Sequence, residues 1–377
     1  MLIILLTSIF VITYSYIIYP LVVARIAKGK TQNILEDNGD LPEITVVMSV
    51  FNGANVIEKR LSNIINSNYP ADKLFVHVVS DGSTDRTDIV LERLTHKYPN
   101  LTYKHHPDNH GKAYSVSNAL RHINTPLIAF CDVRQVFDKD ALKNMVLHFA
   151  DDSVGAVTGN LIIGDPKGAQ SDPGLYWKYE KWIRDNEGKC KSLLGVTGAI
   201  YVARRKALPI FVPNNTILDD MYIPMHMIKE GYNIQMASNA FAYDVPSSTV
   251  SEEFKRKVRT LAGNFQLVKL HPWMLFPSEN PVFFQWISHK ISRLLVPYAL
   301  IGILVSASLG EGYLFDIAFV GQWVVYLYAM VAYLAMTREK SIKFGSVLVS
   351  FITLNFAALL AGWKFATKPP QALWEKH

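Results

Sequence analysis

The sequence predicts an α/β domain built on a doubly wound, mostly parallel sheet and flanked by transmembrane helices, one N-terminal and about three C-terminal. Strand-like and helix-like runs alternate from Pro42 to Asp132, and uncharged apolar stretches occupy both ends of the chain. Half of the 377 residues (50%) are hydrophobic, which is high for a purely soluble protein.

From the N-terminus, Leu2 to Val23 contains no charge, and a helix of that length spans roughly 33 Å, enough to cross the hydrocarbon core of a bilayer. A cleaved signal peptide needs a basic start and a small-residue cleavage site. This segment starts Met1-Leu2-Ile3-Ile4 and ends in bulky Tyr19-Pro20-Leu21-Val22-Val23, so residues 1–28 read as a retained anchor. Next, Ile44 to Val50 is a β-rich run, Asn55 to Asn66 has helical spacing at Val56, Leu61, Ile64 and Ile65, and Leu74 to Val79 is a second strand. A helix from about Asp85 to Lys97, a short strand at Leu101 to Lys104, a helix from about Lys112 to Arg121 and the strand Leu127 to Phe130 complete the alternation. Such a sheet binds ligands at the carboxyl ends of its strands, where Asp81 and Asp132 fall.

Beyond Asp132 the pattern loosens. A strand pair is expected across Gly155 to Ile163, then an aromatic helix (Tyr176, Trp177, Tyr179, Trp182), a strand from Gly198 to Ala203 and a helix from about Asp220 to Lys229 closed by Gly231. The α/β domain so defined covers 40–250, followed by an amphipathic interfacial segment at 251–290, three spans within 291–364 and a tail at 365–377. The apolar runs of those spans are Leu294 to Leu309, Leu314 to Met336 and Phe344 to Trp363. The first is short and contains Pro297, which leaves it tilted, re-entrant or extended upstream through Ile291.

Arg25, Lys28 and Lys30 follow the first span, and Arg338, Lys340 and Lys343 lie between the last two. Positive loops stay cytoplasmic, so a multi-pass protein of the cell (inner) membrane is expected, with the block from about 30 to 290 in the cytosol and both termini outside. Basic Lys364, Lys368 and Lys376 pull against an external C-terminus. Only Cys131 and Cys190 occur, which excludes a disulfide framework. The net charge of +6 is modest and no long basic run or aromatic ladder is present, so nucleic acid is not expected as a partner. The run Lys255-Arg256-Lys257-Val258-Arg259 suits phosphates of a lipid or a nucleotide.

Three acidic sites stand out, and each has a bland alternative. In Asp81-Gly82-Ser83-Thr84-Asp85, Asp85 reads as a helix cap, whereas Asp81, at the strand end, is placed to accept hydrogen bonds from a base or ribose. Asp132 is either a turn residue or a carboxylate for ribose or for a divalent ion on a diphosphate. Asp219-Asp220 is either a capping pair at a helix dipole or a pair of carboxylates of which one serves as general base. The aromatic helix reads first as core. In order, between membrane segments, the three sites suggest an enzyme that holds a nucleotide-sugar and transfers its sugar at a membrane.

With these residues in place, the chain resembles the membrane-embedded family 2 glycosyltransferases of GT-A fold, a Rossmann-like α/β architecture. That group contains the cellulose, hyaluronan and poly-N-acetylglucosamine synthases. The resemblance runs from Pro42 to about Gln266 and rests on Val50-Phe51-Asn52, Asp81-Gly82-Ser83-Thr84-Asp85, Gly111-Lys112-Ala113, Cys131-Asp132, Val196-Thr197-Gly198-Ala199 and Leu218-Asp219-Asp220. It implies that Phe51, Asp81 and Lys112 line the nucleotide, that Asp132 lies near ribose, diphosphate and metal, and that Thr197, Gly198 and Ala199 shape the acceptor site, while Trp177 is an acceptor candidate on the alternative reading of the aromatic helix, stacking on sugar rings. Asp220, paired with Asp219, would be the base of an inverting transfer.

Two departures from the family pattern matter. Its Asp-x-Asp reads Asp132-Val133-Arg134, so the Mg2+ or Mn2+ site has lost one carboxylate and Arg134 is a candidate phosphate contact. Its Gln-x-x-Arg-Trp motif is replaced by Arg256-Lys257-Val258-Arg259-Thr260, in which Arg256 and Arg259 are candidates for the diphosphate. The expected partners are a nucleotide-sugar donor (a UDP-sugar first), a glycan or polyprenyl-lipid acceptor, the bilayer and polysaccharide-export proteins. The alternatives are a polyprenyl-phosphate sugar synthase and an inactive membrane scaffold.

Overall fold

The structure, a computed structural model, describes residues 1–31, 40–164, 174–245, 250–338, 340 and 342–367. In chain order the first elements are α1 (Leu2–Ala27), β1 (Ile44–Val50), α2 (Ile57–Ile65), β2 (Leu74–Asp81), α3 (Thr87–Lys97), β3 (Leu101–His106), α4 (Lys112–Leu120) and β4 (Leu127–Cys131). They continue with β5 (Val136–Phe137), α5 (Ala141–Val146), β6 (Val154–Ile163), α6 (Gly174–Cys190), β7 (Ile200–Arg204), α7 (Asp219–Lys229) and β8 (Asn233–Asp244). The last are α8 (Val250–Leu270), α9 (Phe283–Leu309), α10 (Tyr313–Met336) and α11 (Gly345–Thr367).

Two compact units result. One comprises Lys30–Ser171 and Lys191–Pro246, the other Met1–Gly29, Asp172–Cys190 and Ser247–His377. The first unit is the α/β domain, with one sheet in the order β3-β2-β1-β4-β7-β6-β8-β5. β1 to β4 run parallel, β7 is antiparallel to both β4 and β6, and β6 and β8 are parallel. β4, Leu-Ile-Ala-Phe-Cys, is buried at every position, as a central parallel strand covered on both faces requires. Helix α2 turns Ile57, Leu61 and Ile64 inward at i, i+4 and i+7, all fully buried. Each such side chain contributes about 1.5–3 kcal/mol of burial.

The sheet departs from the sequence reading after β4. Where a strand pair was expected across Gly155 to Ile163, one long strand, β6, pairs instead with β8. The polar residues Asn233, Gln235, Ser238 and Asn239 and two register shifts hide β8 from a search for alternation. The aromatic helix also falls elsewhere: α6 belongs to the helical unit and not to the α/β domain.

In the helical unit, α1, α9, α10 and α11 are long and apolar enough to cross a membrane. α1 and α9 each contain a π-helical turn, at Tyr14–Ile18 and Trp286–Ile291. These turns carry the polar contacts between the two helices: the Tyr14 hydroxyl is 2.6 Å from Ser288 Oγ, and Ser15 Oγ donates to Ser292 Oγ at 2.9 Å. Glu187 of α6 accepts from the Tyr19 hydroxyl and lies 2.7 Å from His289 Nδ1. Glu180 lies 3.3 Å from His289 Nε2 and accepts from Arg293 at 2.5 Å. Burial alone would raise both carboxyls; Arg293 and His289 at Glu180, and His289 at Glu187, outweigh it and hold them low. Helix α8 packs Val258 and Ala262 on Ala357 and Ala361 of α11, leaving Arg256 and Arg259 on its exposed side.

Candidate active site

Parallel pairing brings the carboxyl ends of β2, β3 and β4 to one edge of the sheet, and antiparallel β7 begins there. The register pairs Cys131 with Ile200, so Asp132 follows one strand where the turn Thr197-Gly198-Ala199 leads into the next. That turn is closed by Ile200 N–H donating to Thr197 O at 2.8 Å, and Thr158 Oγ1 of β6 accepts from Thr197 N–H at 2.8 Å. The head of α7 is tied to the same place, because Val196 N–H donates to the Asp220 carbonyl at 2.9 Å. Gly198 meets Asp220 directly: a Cβ at 198 would stand 3.3 Å from Asp220 Cβ and 3.4 Å from Oδ2.

Lys112 joins these parts. Its Nζ donates to Asp132 Oδ1 at 2.8 Å and to Gly198 O at 3.5 Å, and lies 3.8 Å from Asp219 Oδ2. Burial works to lower the lysine pKa, but Asp132 and then Asp219 outweigh it and keep the ammonium charged. Beneath them Tyr201, 1% exposed, stacks on Phe130 with ring centroids 4.6 Å apart. Burial first, and the Asp219 carboxylate second, push its phenol well above the usual range, so it stays protonated.

Asp81 ends β2, almost fully buried, and its carboxylate is strapped by main chain. His110 N–H donates to Oδ1 at 3.1 Å and Gly111 N–H to Oδ2 at 2.7 Å. Gly111, at φ 90°, takes the left-handed turn that aims Lys112 from the first turn of α4. Phe51, 38% exposed, follows β1. The neighbouring Asn52 braces the Asp81 loop through Thr84 N–H, 2.8 Å from its Oδ1. Asp85 accepts from Thr87 N–H at 2.9 Å, just ahead of α3, whose N-cap is Arg86.

Of the residues read from sequence, Lys112, Asp132, Gly198, Asp219 and Asp220 converge. Arg134 is 62% exposed and turned to Asp244, with Nη2 3.6 Å from Oδ2. Trp177, Arg256 and Arg259 belong to the helical unit. Three residues near the site escaped the sequence reading. Tyr201 looks like any strand tyrosine, whereas His106 and His110, four residues apart after a strand, carried a metal-ligand spacing that went unused. One ligand atom from each of them and from Asp81 lie within 4.8 Å of one another.

This edge of the sheet gathers one lysine and three carboxylates, a net negative cluster that attracts a cation. Residues 45–209 match the family described as Glycosyl transferase family 2. Over 282 residues the chain is 23% identical to an N-acetylglucosaminyltransferase of Bradyrhizobium diazoefficiens, covering 69% of this chain and 57% of that one. It is 22% identical over 236 residues to a beta-monoglucosyldiacylglycerol synthase of a Synechocystis species, covering 60% and 48%. The chain thus spans about half the length of these relatives. The fold is shared with a mannosyltransferase of Pyrobaculum calidifontis solved with GDP-Man and Mn2+, at TM-score 0.74 and 22% identity over 97% of this chain and 98% of that one. Residues 45–209 thus match the family 2 glycosyltransferase model on a fold shared with that mannosyltransferase, and four apolar helices of membrane-spanning length accompany them.

Proposed function

We propose that the protein is an inverting glycosyltransferase that moves a sugar from a nucleotide-sugar, a UDP-sugar first, to a glycan or lipid-linked acceptor at the cytosolic face of the cell membrane. The observation that carries this reading is the convergence of Lys112, Asp132, Asp219 and Asp220 around the Gly198 turn. Asp81 and Phe51 hold the nucleoside, and Lys112 meets the diphosphate, with Arg134 as a further donor to phosphate. Thr197, Gly198 and Ala199 border the acceptor. The Asp220 carboxylate takes the proton of the acceptor hydroxyl. The acceptor oxygen then bonds to the anomeric carbon as the bond to the diphosphate oxygen breaks, and the nucleoside diphosphate departs.

A divalent cation suits the residues present. Asp132, 42% exposed, and Asp219 already share one cation, the Lys112 ammonium, and Mg2+ or Mn2+ needs only one or two carboxylates besides phosphate oxygens. Asp132, assisted by Asp219, would hold the ion, which offsets the charge of the leaving diphosphate. The two named relatives, one a glucosyl-lipid synthase and one an N-acetylglucosaminyltransferase, support a hexose or N-acetylhexosamine donor and a membrane-bound acceptor. The test is to offer the purified full chain labelled UDP-, GDP- and dTDP-sugars with membrane lipids and to measure nucleotide release. Turnover of one donor supports the reading, and none with any donor or metal leaves an inactive scaffold.

A further inference from the structure

His106 ends β3 and His110 sits four residues on, in the turn before α4; the two flank Asp81 at the end of β2. His106 is 5% exposed, yet its Nε2 is buried without a hydrogen-bond partner. A buried imidazole nitrogen left unmatched carries its full desolvation cost unless something binds it. His110 Nδ1 donates to the Asp108 carbonyl at 2.8 Å, which steers the ring and leaves Nε2 as its ligand nitrogen. Tyr114 fixes both imidazoles: it stacks on His110 with centroids 4.4 Å apart and meets His106 edge-on at 5.3 Å. The Asp81 carboxylate is oriented in turn by the two main-chain N–H groups that hold it.

We infer that Asp81, His106 and His110 form a transition-metal site, best suited to Zn2+, at the nucleoside end of the donor pocket. Two imidazoles and one carboxylate supply three of four tetrahedral positions and leave one open. Magnesium, which prefers oxygen, is a poor occupant. The site is separate from the cation position at Asp132, because β1 lies between β2 and β4 in the sheet, and two strand spacings amount to about 10 Å. Zinc on Asp81 takes up the carboxylate that the nucleoside needs. Bound Zn2+ is therefore an inhibitor that competes with the donor, while Mg2+ or Mn2+ at Asp132 supports the reaction. This second consequence rests on the proposed role of Asp81; the metal site does not.

The experiment is calorimetric titration of Zn2+ into the full chain in detergent, followed by UDP and GDP titrations with and without Zn2+. One zinc per chain is expected, bound roughly tenfold or more weakly in both His106→Ala and His110→Ala. His110 is exposed, so its variant folds even where His106→Ala does not. Absence of stoichiometric zinc, or equal affinity in His110→Ala, overturns the site. Zinc that binds at the histidines but leaves nucleotide affinity unchanged upholds the site and instead refutes the assignment of Asp81 to the nucleoside.

Discussion

Gly198 packs against Asp220 so closely that a methyl group on its Cα would stand 3.4 Å from the carboxylate oxygen Oδ2. The glycine is there for space, since a Cβ on the turn at 197–199 would press on the head of α7. Gly198→Ala should displace Asp220 by a few tenths of an ångström and lower kcat by about 10–100-fold, as small misplacements at a reacting centre do. Donor binding should change little. Unchanged kcat in this variant would remove Asp220 from the reacting centre.

Asp220→Asn keeps the shape and removes the proposed base. Transfer should fall by roughly two to four orders of magnitude while nucleotide affinity, read by titration, stays near wild type. Turnover close to that of the unmodified protein would defeat the assignment.

Metal dependence follows from the Lys112 contacts. With one ammonium already offsetting one of the two negative charges of Asp132 and Asp219, Mg2+ or Mn2+ should stimulate activity with a shallow dependence, and Asp132→Ala should abolish the response. Lys112→Met leaves Asp132 and Asp219 without their shared cation, so it should weaken nucleotide binding about tenfold or more yet steepen the metal requirement. Full activity in excess EDTA is the result that sinks the metal role.

These predictions cluster where the sequence was most legible. Asp81, Lys112, Asp132 and Asp220 could be placed because each sits within a residue of an element end, and parallel pairing carries such ends to one edge. The contacts among Lys112, Asp132 and Asp219 were not legible, since they depend on β7 entering antiparallel beside β4. β8 was missed for a related reason: its partner is β6, 70 residues or more away, and its polar residues satisfy neighbours that only the fold supplies, such as Gln235 Oε1 2.8 Å from His148 Nδ1. The helix α6 was legible, but not its membership of the helical unit, because its acidic residues answer cations and a hydroxyl far along the chain.

The Glu180 carboxyl, held low by Arg293 and His289 against the pull of burial, gives a signed pH dependence. A depressed folded-state value means that its stabilisation is complete above the unfolded carboxyl range, near pH 4.5, and is lost as pH falls through the depressed value. Thermal unfolding in detergent should therefore place Glu180→Gln below wild type at pH 7, with the gap persisting at pH 5 and closing only in stronger acid. A gap that widens on acidification contradicts the ion pair.

The π turns in α1 and α9 make the length of those helices part of their chemistry. Each turn absorbs a residue beyond the regular repeat, so the helix past it keeps the facing it would have without that residue. Were the same residues of α9 wound as regular α-helix, everything past the turn would rotate by about 100°, swinging Ser292 and Arg293 away from Ser15 and Glu180 and turning polar groups toward hydrocarbon. The helical unit should accept many exchanges of one apolar residue for another, and should withstand a single deletion between Trp286 and Ile291 better than a single deletion in the regular turns of the same helix.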